Sequence, residues 1–259
     1  MFRVVIPARY GSARLPGKVL LPVAGRPLLH WVVARARASA AAAVIVATDD
    51  VRVAEAARAA DVEVVMTAAG HASGTDRIAE VVASQGWADC DVVVNLQGDE
   101  PMMPPELLDQ VAALLETHPS ADIATLAAPV ASLAEFLDPN AVKVVLDDVG
   151  RALYFSRAPI PWDRDGAPQG LPSQASFAAG LRHIGLYAYR AGAVRRMAQL
   201  APGQLELREK LEQLRALAAG MQIRVGLAAG HPGVDVNTPE DLQRLRRLFE
   251  SAASDRALP

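Results

Sequence analysis

The feature that most constrains the fold of this chain is a regular alternation, in its first half, of short apolar runs with longer amphipathic stretches. The apolar runs predict buried strands at Phe2–Pro7, Ala43–Thr48, 62–66 and 91–96. The amphipathic stretches predict helices at 27–38, 50–60, 75–85 and 104–118. Such alternation is typical of βα units on a parallel sheet. We therefore predict an α/β fold with a mostly parallel, Rossmann-like sheet flanked by helices.

A different pattern begins in the second half of the chain. Two apolar runs, 141–147 and 151–156, flank Gly150 and predict an antiparallel hairpin. Further along, we predict strands at 182–190 and 222–228, helices at 205–218 and 239–250, and a Pro- and Gly-rich loop at 158–180. The whole indicates one domain over 1–250, with an antiparallel excursion at about 150–190 and a frayed end at 251–259.

Composition excludes several classes of protein. Of 259 residues, 51% are hydrophobic, which suffices for a buried core, yet no apolar stretch reaches the ~18 residues of a membrane helix. One cysteine, Cys90, excludes an internal disulfide and agrees with a reducing compartment, so we expect a cytoplasmic protein. A net charge of −3 gives no bulk attraction to nucleic acid or membranes, and we expect neither as a partner.

The loop after the first strand has the composition of a polyphosphate site. It places Arg9, Arg14 and Lys18 within ten residues, and glycines allow its backbone to approach a ligand closely. The loop lacks the spacing of a Walker motif and of a dinucleotide-binding motif. The alternative interpretation is a solvated basic loop. Only three of the 26 basic residues are lysines, Lys18, Lys143 and Lys210, so we expect arginine to replace Lys18 poorly.

An acidic turn, Gly98-Asp99-Glu100, follows the fourth predicted strand. In open sheets ligands bind beyond the carboxyl ends of the strands, where this turn and the basic loop should meet. A carboxylate there is suited to Mg²⁺, which takes only one or two protein carboxylates. The alternative is that Asp99 or Glu100 caps the helix that begins near Pro104.

The chain resembles the CMP-Kdo synthetases, or 3-deoxy-manno-octulosonate cytidylyltransferases, over about residues 3 to 248. The resemblance rests on eight ordered blocks: IPARYGSARLPGK (6–18), MTAAGHASGTDRIAEV (66–81), NLQGDEP (95–101), DPNAVKVV (138–145), YFSRAPIPWDRD (154–165), RHIGLYAYR (182–190), LEQLR (211–215) and NTPEDL (237–242). Relatives that act on sialic acid share the first block but not YFSRAPIPWDRD and LEQLR. The resemblance implies a glycosyltransferase-A-like fold.

The resemblance also implies an activity and a site. The activity is transfer of the cytidylyl group of CTP to the anomeric hydroxyl of Kdo, with release of pyrophosphate, in lipopolysaccharide biosynthesis. Catalytic residues would be Lys18, Arg14 and Asp99, and the nucleotide would bind to Arg9, Arg14, Lys18, His71, Ser73, Gly74 and Gln97. The acid sugar would bind to Arg157, Arg182, His183, Tyr187, Glu209 and Gln213. A homodimer would form through the excursion.

Alternatives remain for several of these assignments. Arg157 could stabilise the long loop, His183 could be a satisfied half-buried side chain, and Glu209 could belong to a solvated helix face. The family carries Asp where this chain has Asn237, so either Asp235 or Asn237 would join Asp99 in holding Mg²⁺. For the activity, the alternatives are another acid sugar, such as amino-Kdo or sialic acid, and a nonenzymatic nucleotide-binding protein of the same fold.

Overall fold

The computed structural model describes residues 1–11, 15–167, 169–173, 177 and 179–254. Within them, nine strands form one sheet and two short strands form a separate ribbon. The strands are β1 Phe2–Pro7, β2 Pro22–Val23, β3 Arg26–Pro27, β4 Ala43–Thr48, β5 Glu63–Met66, β6 Val92–Asn95, β7 Ile123–Pro129, β8 Lys143–Leu146, β9 Ala152–Ser156, β10 Leu181–Arg190 and β11 Ile223–Leu227. The helices are α1 Leu28–Arg37, α2 Val51–Ala59, α3 Gly74–Ser84, α4 Pro105–Thr117, α5 Leu133–Leu137, α6 Ala191–Gln199, α7 Gln204–Glu209, α8 Gln213–Ala218 and α9 Pro239–Ser254.

The sheet has the order β11-β7-β10-β6-β1-β4-β5. Strands β6, β1, β4 and β5 are parallel neighbours, as are β7 and β11. Strand β10 lies antiparallel between β6 and β7 and also pairs with β8, which pairs with β9. The predicted α/β class, mostly parallel sheet and antiparallel elements of the second half are therefore confirmed. The extent of the domain, 1–250, stays a prediction.

Helices cover both faces of the sheet because successive residues of each strand point to opposite faces. On one face, Val4 and Val94 are buried with Leu29 of α1, Val53 of α2 and Leu107 of α4. On the other face, the neighbouring residues Val5 and Val93 are buried with residues of α3, α6 and α8. With both faces covered, the carboxyl ends of β1 and β6 remain as the place for a ligand.

The structure corrects three predictions. Strand β7 is buried in the sheet but is not among the predicted strands. The helix predicted at 205–218 is two helices, α7 and α8, because Lys210 between them has a left-handed backbone with φ +54°. Helix α9 extends to Ser254, four residues into the segment predicted to fray, whereas 255–259 lie outside the described residues.

No helix in the described part of the chain combines the length and the apolar character needed to cross a membrane.

Candidate functional site

A cavity of about 300 Å³, here the first cavity, opens where the predicted loop and turn meet at the carboxyl ends of β1 and β6. Its lining comprises Pro7, Arg9, Lys18, Val19, residues 71–74, Arg77, Gln97, Gly98, Asp99 and Asn237. Every residue predicted to bind the nucleotide lines this cavity, except Arg14, which lies outside the described residues. The predicted basic loop therefore does not simply extend into solvent.

Lys18 and Asp99 are in direct contact inside the first cavity. The Lys18 ammonium forms an ion pair with Oδ2 of Asp99 and also donates a hydrogen bond, 3.2 Å long, to the carbonyl oxygen of Val236. The Val236 N–H in turn donates to the carbonyl oxygen of Asp99 at 2.9 Å. These contacts join the 6–18 loop, the acidic turn and the segment before α9 into one wall.

The amino-terminal end of α3 also lines this cavity. Ser73 caps this helix: its hydroxyl accepts the Asp76 N–H, and the Asp76 carboxylate accepts the Ser73 N–H, both at 3.1 Å. Gly74 packs tightly here, since a Cβ at this position would lie 3.3 Å from the ring of Pro7. Nearby, the His71 ring pairs with Glu80, and this hydrogen bond lowers the pKa of the Glu80 carboxyl. The partial positive charge of a helix amino terminus favours an anionic ligand in this cavity.

The acidic turn is shaped by close packing against β1. A Cβ on Gly98 would lie 3.2 Å from the carbonyl oxygen of Pro7, so the turn depends on glycine there. Neither Asp99 nor Glu100 caps a helix, because α4 begins after Pro104 without a side-chain cap. Burial raises the pKa of Glu100 to about 8, and the charges of Asp99 and Asp235 add to this shift.

A second cavity, of about 360 Å³, lies on the other side of the acidic turn. Its lining comprises Glu100, Met103, residues 140–142, residues 182–185, Pro232, Gly233 and Asp235. Arg182 and His183, both predicted to bind the acid sugar, lie here, next to an irregularity in the pairing of β10 with β7. Arg182 pairs with Glu135 at 2.6 Å. The guanidinium has five N–H groups, so this pair leaves it further donors.

The hydrogen bonds of His183 define the state of its ring. Nε2 lies 2.9 Å from the Thr125 hydroxyl oxygen, which is also 3.1 Å from the carbonyl oxygen of Ile184 and 2.8 Å from that of Leu186. A hydroxyl has one proton, and carbonyls only accept; we therefore assign the hydroxyl proton to a carbonyl and a proton to Nε2. Burial, with the adjacent Arg182 charge, lowers the pKa of His183 to about 3. The ring is neutral, and Nδ1 is an acceptor.

The other four residues predicted for the sugar are absent from the lining of both cavities as described. Arg157 and Glu209 bind each other: the Arg157 N–H donates to the Glu209 carboxylate at 2.9 Å, and Nε donates to the Glu209 carbonyl at 2.7 Å. Tyr187 lies between the rings of His183 and Tyr189, and Gln213 is buried at the start of α8. Their assignment to the sugar stays a prediction, and so does the alternative for Arg157, a role in stabilising the long loop.

The Lys143 side chain does not line the second cavity, although other residues of its sequence block, 138–145, do. It is fully buried, and its ammonium donates to the carbonyl oxygens of Asp138 and Ala141. Burial lowers the pKa of this amine. Lys143 thus holds the loop that presents Asn140 and Ala141 to the second cavity.

Sequence reasoning missed two charged residues of the site, although both stand in the quoted blocks. Arg77 lines the first cavity, is 4% exposed, and binds the Thr67 hydroxyl; its guanidinium is also 3.4 Å from Asp49. Glu212 of the LEQLR block accepts hydrogen bonds from the hydroxyls of Ser73 and Thr75 at 2.9 and 3.0 Å. Glu212 therefore ties the amino-terminal end of α3 to the segment before α8.

Oxygen atoms suited to a hard divalent cation lie on both sides of the acidic turn. Asp99 and Asn237 line the first cavity, whereas Glu100 and Asp235 line the second. The Asn237 amide donates to the Asp235 carboxylate, so the two candidates adjoin. No cluster of three His, Cys, Asp or Glu able to hold a metal exists among the described residues. Mg²⁺ keeps most of its waters and needs only one or two carboxylates, so this donor set fits it. Oε2 of Glu100 is buried without a hydrogen-bond partner among the described residues.

The fold agrees with what comparison with known proteins finds. A family model described as cytidylyltransferase matches residues 3–223, which places the chain in that class of enzymes. The 3-deoxy-manno-octulosonate cytidylyltransferase of Serratia proteamaculans (strain 568) is 54% identical over 245 residues, 95% of this chain and 97% of the relative. The chain belongs to the 3-deoxy-manno-octulosonate cytidylyltransferase family, and the resemblance seen in the sequence is confirmed.

Comparison with solved structures supports the same fold. A structure of CMP:2-keto-3-deoxy-manno-octonic acid synthetase complexed with CTP is similar to this chain with a TM-score of 0.87 and 40% identity. It covers 97% of this chain and 99% of its own. A 4-diphosphocytidyl-2C-methyl-D-erythritol synthase, 14% identical, shares the fold with a TM-score of 0.60, over 96% of this chain and 99% of its own.

Proposed function

We propose that this enzyme transfers the cytidylyl group of CTP to the anomeric hydroxyl of Kdo and releases pyrophosphate, with CTP in the first cavity and the sugar in the second. One observation carries this arrangement: the two cavities flank the same acidic turn, with Asp99 on one side and Glu100 on the other. Two substrates bound there would meet at the turn. We place the reaction in lipopolysaccharide biosynthesis.

The chain's own residues would bind and orient both substrates. Arg9 and Lys18 would bind the phosphates, and the N–H groups at the start of α3 would add donors for an anion. In the second cavity, the free N–H groups of Arg182 suit the sugar carboxylate. Nδ1 of His183, an acceptor, suits a sugar hydroxyl. In-line displacement at phosphorus depends on such alignment and charge neutralisation more than on covalent chemistry.

We propose Mg²⁺ as the cofactor, held by Asp99 together with Asp235 or Asn237. A bound Mg²⁺ would neutralise charge on the phosphates and lower the pKa of a hydroxyl that binds to it. Asp235 supplies a charge and Asn237 only a carbonyl oxygen, so we favour Asp235 as the second ligand.

The proposed activity is tested by pyrophosphate release from CTP and Mg²⁺ with Kdo, amino-Kdo or sialic acid as acceptor. We expect turnover with Kdo to exceed turnover with the other two sugars. Release with amino-Kdo or sialic acid but not with Kdo would reassign the acceptor. No release with any of the three would refute the proposed reaction.

Replacing Asp99 with asparagine tests the metal assignment. We expect Asp99→Asn to reduce Mg²⁺-dependent turnover at least a hundredfold, because a neutral amide attracts the cation much less strongly than a carboxylate does. The far-UV circular dichroism and the melting temperature serve as controls for folding. Asp148→Asn, at an exposed position of the β8–β9 turn, is the matched surface variant. Turnover of Asp99→Asn close to wild type would remove Asp99 from this role.

We also propose a homodimer formed through residues 150–190, acting in the cytoplasm. Large apolar side chains are exposed there: Leu153 is 60% exposed, Trp162 48% and Leu171 47%. Burial of such a surface against a second copy is favourable. Sedimentation equilibrium of the wild type and of Leu153→Glu tests this, and a monomeric wild type would contradict it. The single cysteine agrees with a reducing compartment.

A further inference from the structure

We propose that Tyr10, held in place by Arg52, is a positioning residue that sets the placement of Arg9 and Lys18 for the triphosphate. The inference rests on the proposed function, since it concerns the phosphate side of the first cavity. Three residues carry it, Tyr10, Gly17 and Arg52, here called the clasp. Arg52 lies outside the eight blocks that carry the resemblance.

The clasp closes the basic loop at its base. The Gly17 N–H donates a hydrogen bond of 2.9 Å to the carbonyl oxygen of Tyr10. The Tyr10 ring also lies against the Gly17 backbone, because a Cβ on Gly17 would be only 2.9 Å from the ring edge. Gly17 has a left-handed conformation, φ +67°, which glycine adopts without strain. Backbone and ring together thus bring residue 10 next to residue 17.

Helix α2 fixes the other face of the Tyr10 ring. The guanidinium carbon of Arg52 lies 3.5 Å from the ring centroid, which is the geometry of a cation–π contact. That guanidinium is itself oriented by Asp50, whose carboxylate accepts from Nε at 3.0 Å and from Nη2 at 2.6 Å. Asp50 also caps α2 by accepting the Arg52 N–H. The Tyr10 ring is therefore held between a helix and the glycine of its own loop.

The clasp acts on the phosphate-binding residues through its position in the chain. Arg9 directly precedes Tyr10, and Lys18 directly follows Gly17, and both side chains line the first cavity. Joining residues 10 and 17 therefore holds together the two backbone positions, 9 and 18, whose cationic side chains would bind the phosphates. Without the clasp, these two cations would have to be ordered when CTP binds, and that ordering would weaken binding. CMP, which has one phosphate, should depend on the clasp far less than CTP.

The test compares the affinities for CTP and for CMP by titration calorimetry without Mg²⁺. For Tyr10→Ala we expect about tenfold weaker CTP binding, and for Arg52→Met about two- to fivefold weaker binding. CMP binding should stay within twofold of wild type for both. Tyr10→Phe keeps the ring and should bind CTP like the wild type. Arg58→Met, an exposed arginine in the last turn of the same helix, is the matched control and should change neither affinity.

Each other outcome has a defined meaning. Unchanged CTP affinity in Tyr10→Ala and Arg52→Met, with a wild type that binds CTP, overturns the clasp and leaves the proposed function intact. Equal weakening for CTP and CMP also overturns it, since general loosening of the site would act on both ligands. A wild type that binds neither nucleotide, even when the titration is repeated with Mg²⁺, refutes the proposed function, and the clasp with it. If the wild type binds CTP only with Mg²⁺, the variants are compared in Mg²⁺ by the same criteria.

Discussion

At the scale of single residues, the contact between Lys18 and Asp99 has a consequence for metal binding. The ammonium pairs with Oδ2 of Asp99 and lies 3.2 Å from the carbonyl oxygen of Val236. Both side chains are largely buried, with 15% and 20% exposed, so solvent screens their attraction only partly. Lys18 and the proposed Mg²⁺ would therefore compete for the same carboxylate.

Removing that competitor should strengthen metal binding by the nucleotide-free protein. We expect Lys18→Met to bind Mn²⁺ about tenfold more tightly than the wild type, which corresponds to ~1.4 kcal/mol. The electron paramagnetic resonance signal of free Mn²⁺ measures this. Lys210→Met, which removes a lysine between α7 and α8, should bind like the wild type. Equal Mn²⁺ affinity in all three proteins would disprove the competition.

Residue by residue, the site was predictable where its members stand close in the sequence. Arg9 and Lys18 share one loop, so their spacing indicates a common ligand, whereas the assignment of His71, Ser73 and Gly74 came from the resemblance. Contacts between distant segments were not predictable. His183 and Thr125 are 58 positions apart, and Arg157 and Glu209 are 52 apart. Only the fold decides whether such side chains bind each other or face a ligand.

At the scale of elements, the break between α7 and α8 follows from one backbone conformation. Lys210 ends α7 with φ +54° and ψ +46°, and its N–H donates to the carbonyl oxygen of Glu206. A residue with a side chain pays about 1–2 kcal/mol for this left-handed conformation. The sequence 205–218 has helical periodicity throughout, so periodicity alone predicts one helix there.

Glycine at this position should stabilise the protein. We expect Lys210→Gly to raise the free energy of unfolding by about 1 kcal/mol, because the gain in conformational energy exceeds the extra entropy of an unfolded glycine. For a chain of this size the melting temperature should rise by about 2–4 °C. Lys210→Ala removes the charge but keeps a Cβ, and it should give no rise. Equal melting temperatures for the glycine and alanine variants would contradict this explanation.

Strand β7 was not predicted because of the composition of this element. Thr125 interrupts its apolar run with a hydroxyl, and alanines make up much of the rest. In the sheet, that hydroxyl is buried and bonded to backbone atoms of β10. A polar residue of this kind is compatible with a buried strand only because a neighbouring strand supplies its partner. Local sequence patterns do not indicate which strands, distant in sequence, pair with each other in the sheet.

At the scale of the whole molecule, β10 joins the two parallel parts of the sheet. It pairs with β6 on one side and with β7 on the other, so the sheet is continuous only through this strand. His183 lies on β10, with its ring 5.0 Å from that of Phe155 and 5.2 Å from that of Tyr187, measured between centroids. A charge on this ring would be placed in the interior of the fold.

The contribution of His183 to global stability should therefore decrease in mild acid. Burial and the Arg182 charge lower the pKa of His183 from its ordinary 6.5 to about 3. Between these values His183 binds a proton in the unfolded chain but not in the folded chain, so its contribution to the free energy of unfolding falls as pH falls. From pH 7 to pH 5 this one group accounts for about 2 kcal/mol.

Urea denaturation at pH 7 and pH 5 measures this effect when the wild type is compared with His183→Gln. Glutamine keeps a donor for the Thr125 hydroxyl but does not titrate. We expect the variant to lose about 2 kcal/mol less than the wild type between the two pH values, because all other groups titrate alike in both proteins. Equal losses would mean that the His183 ring accepts its proton within the fold, and strand β10 would then tolerate a charge at the centre of the sheet.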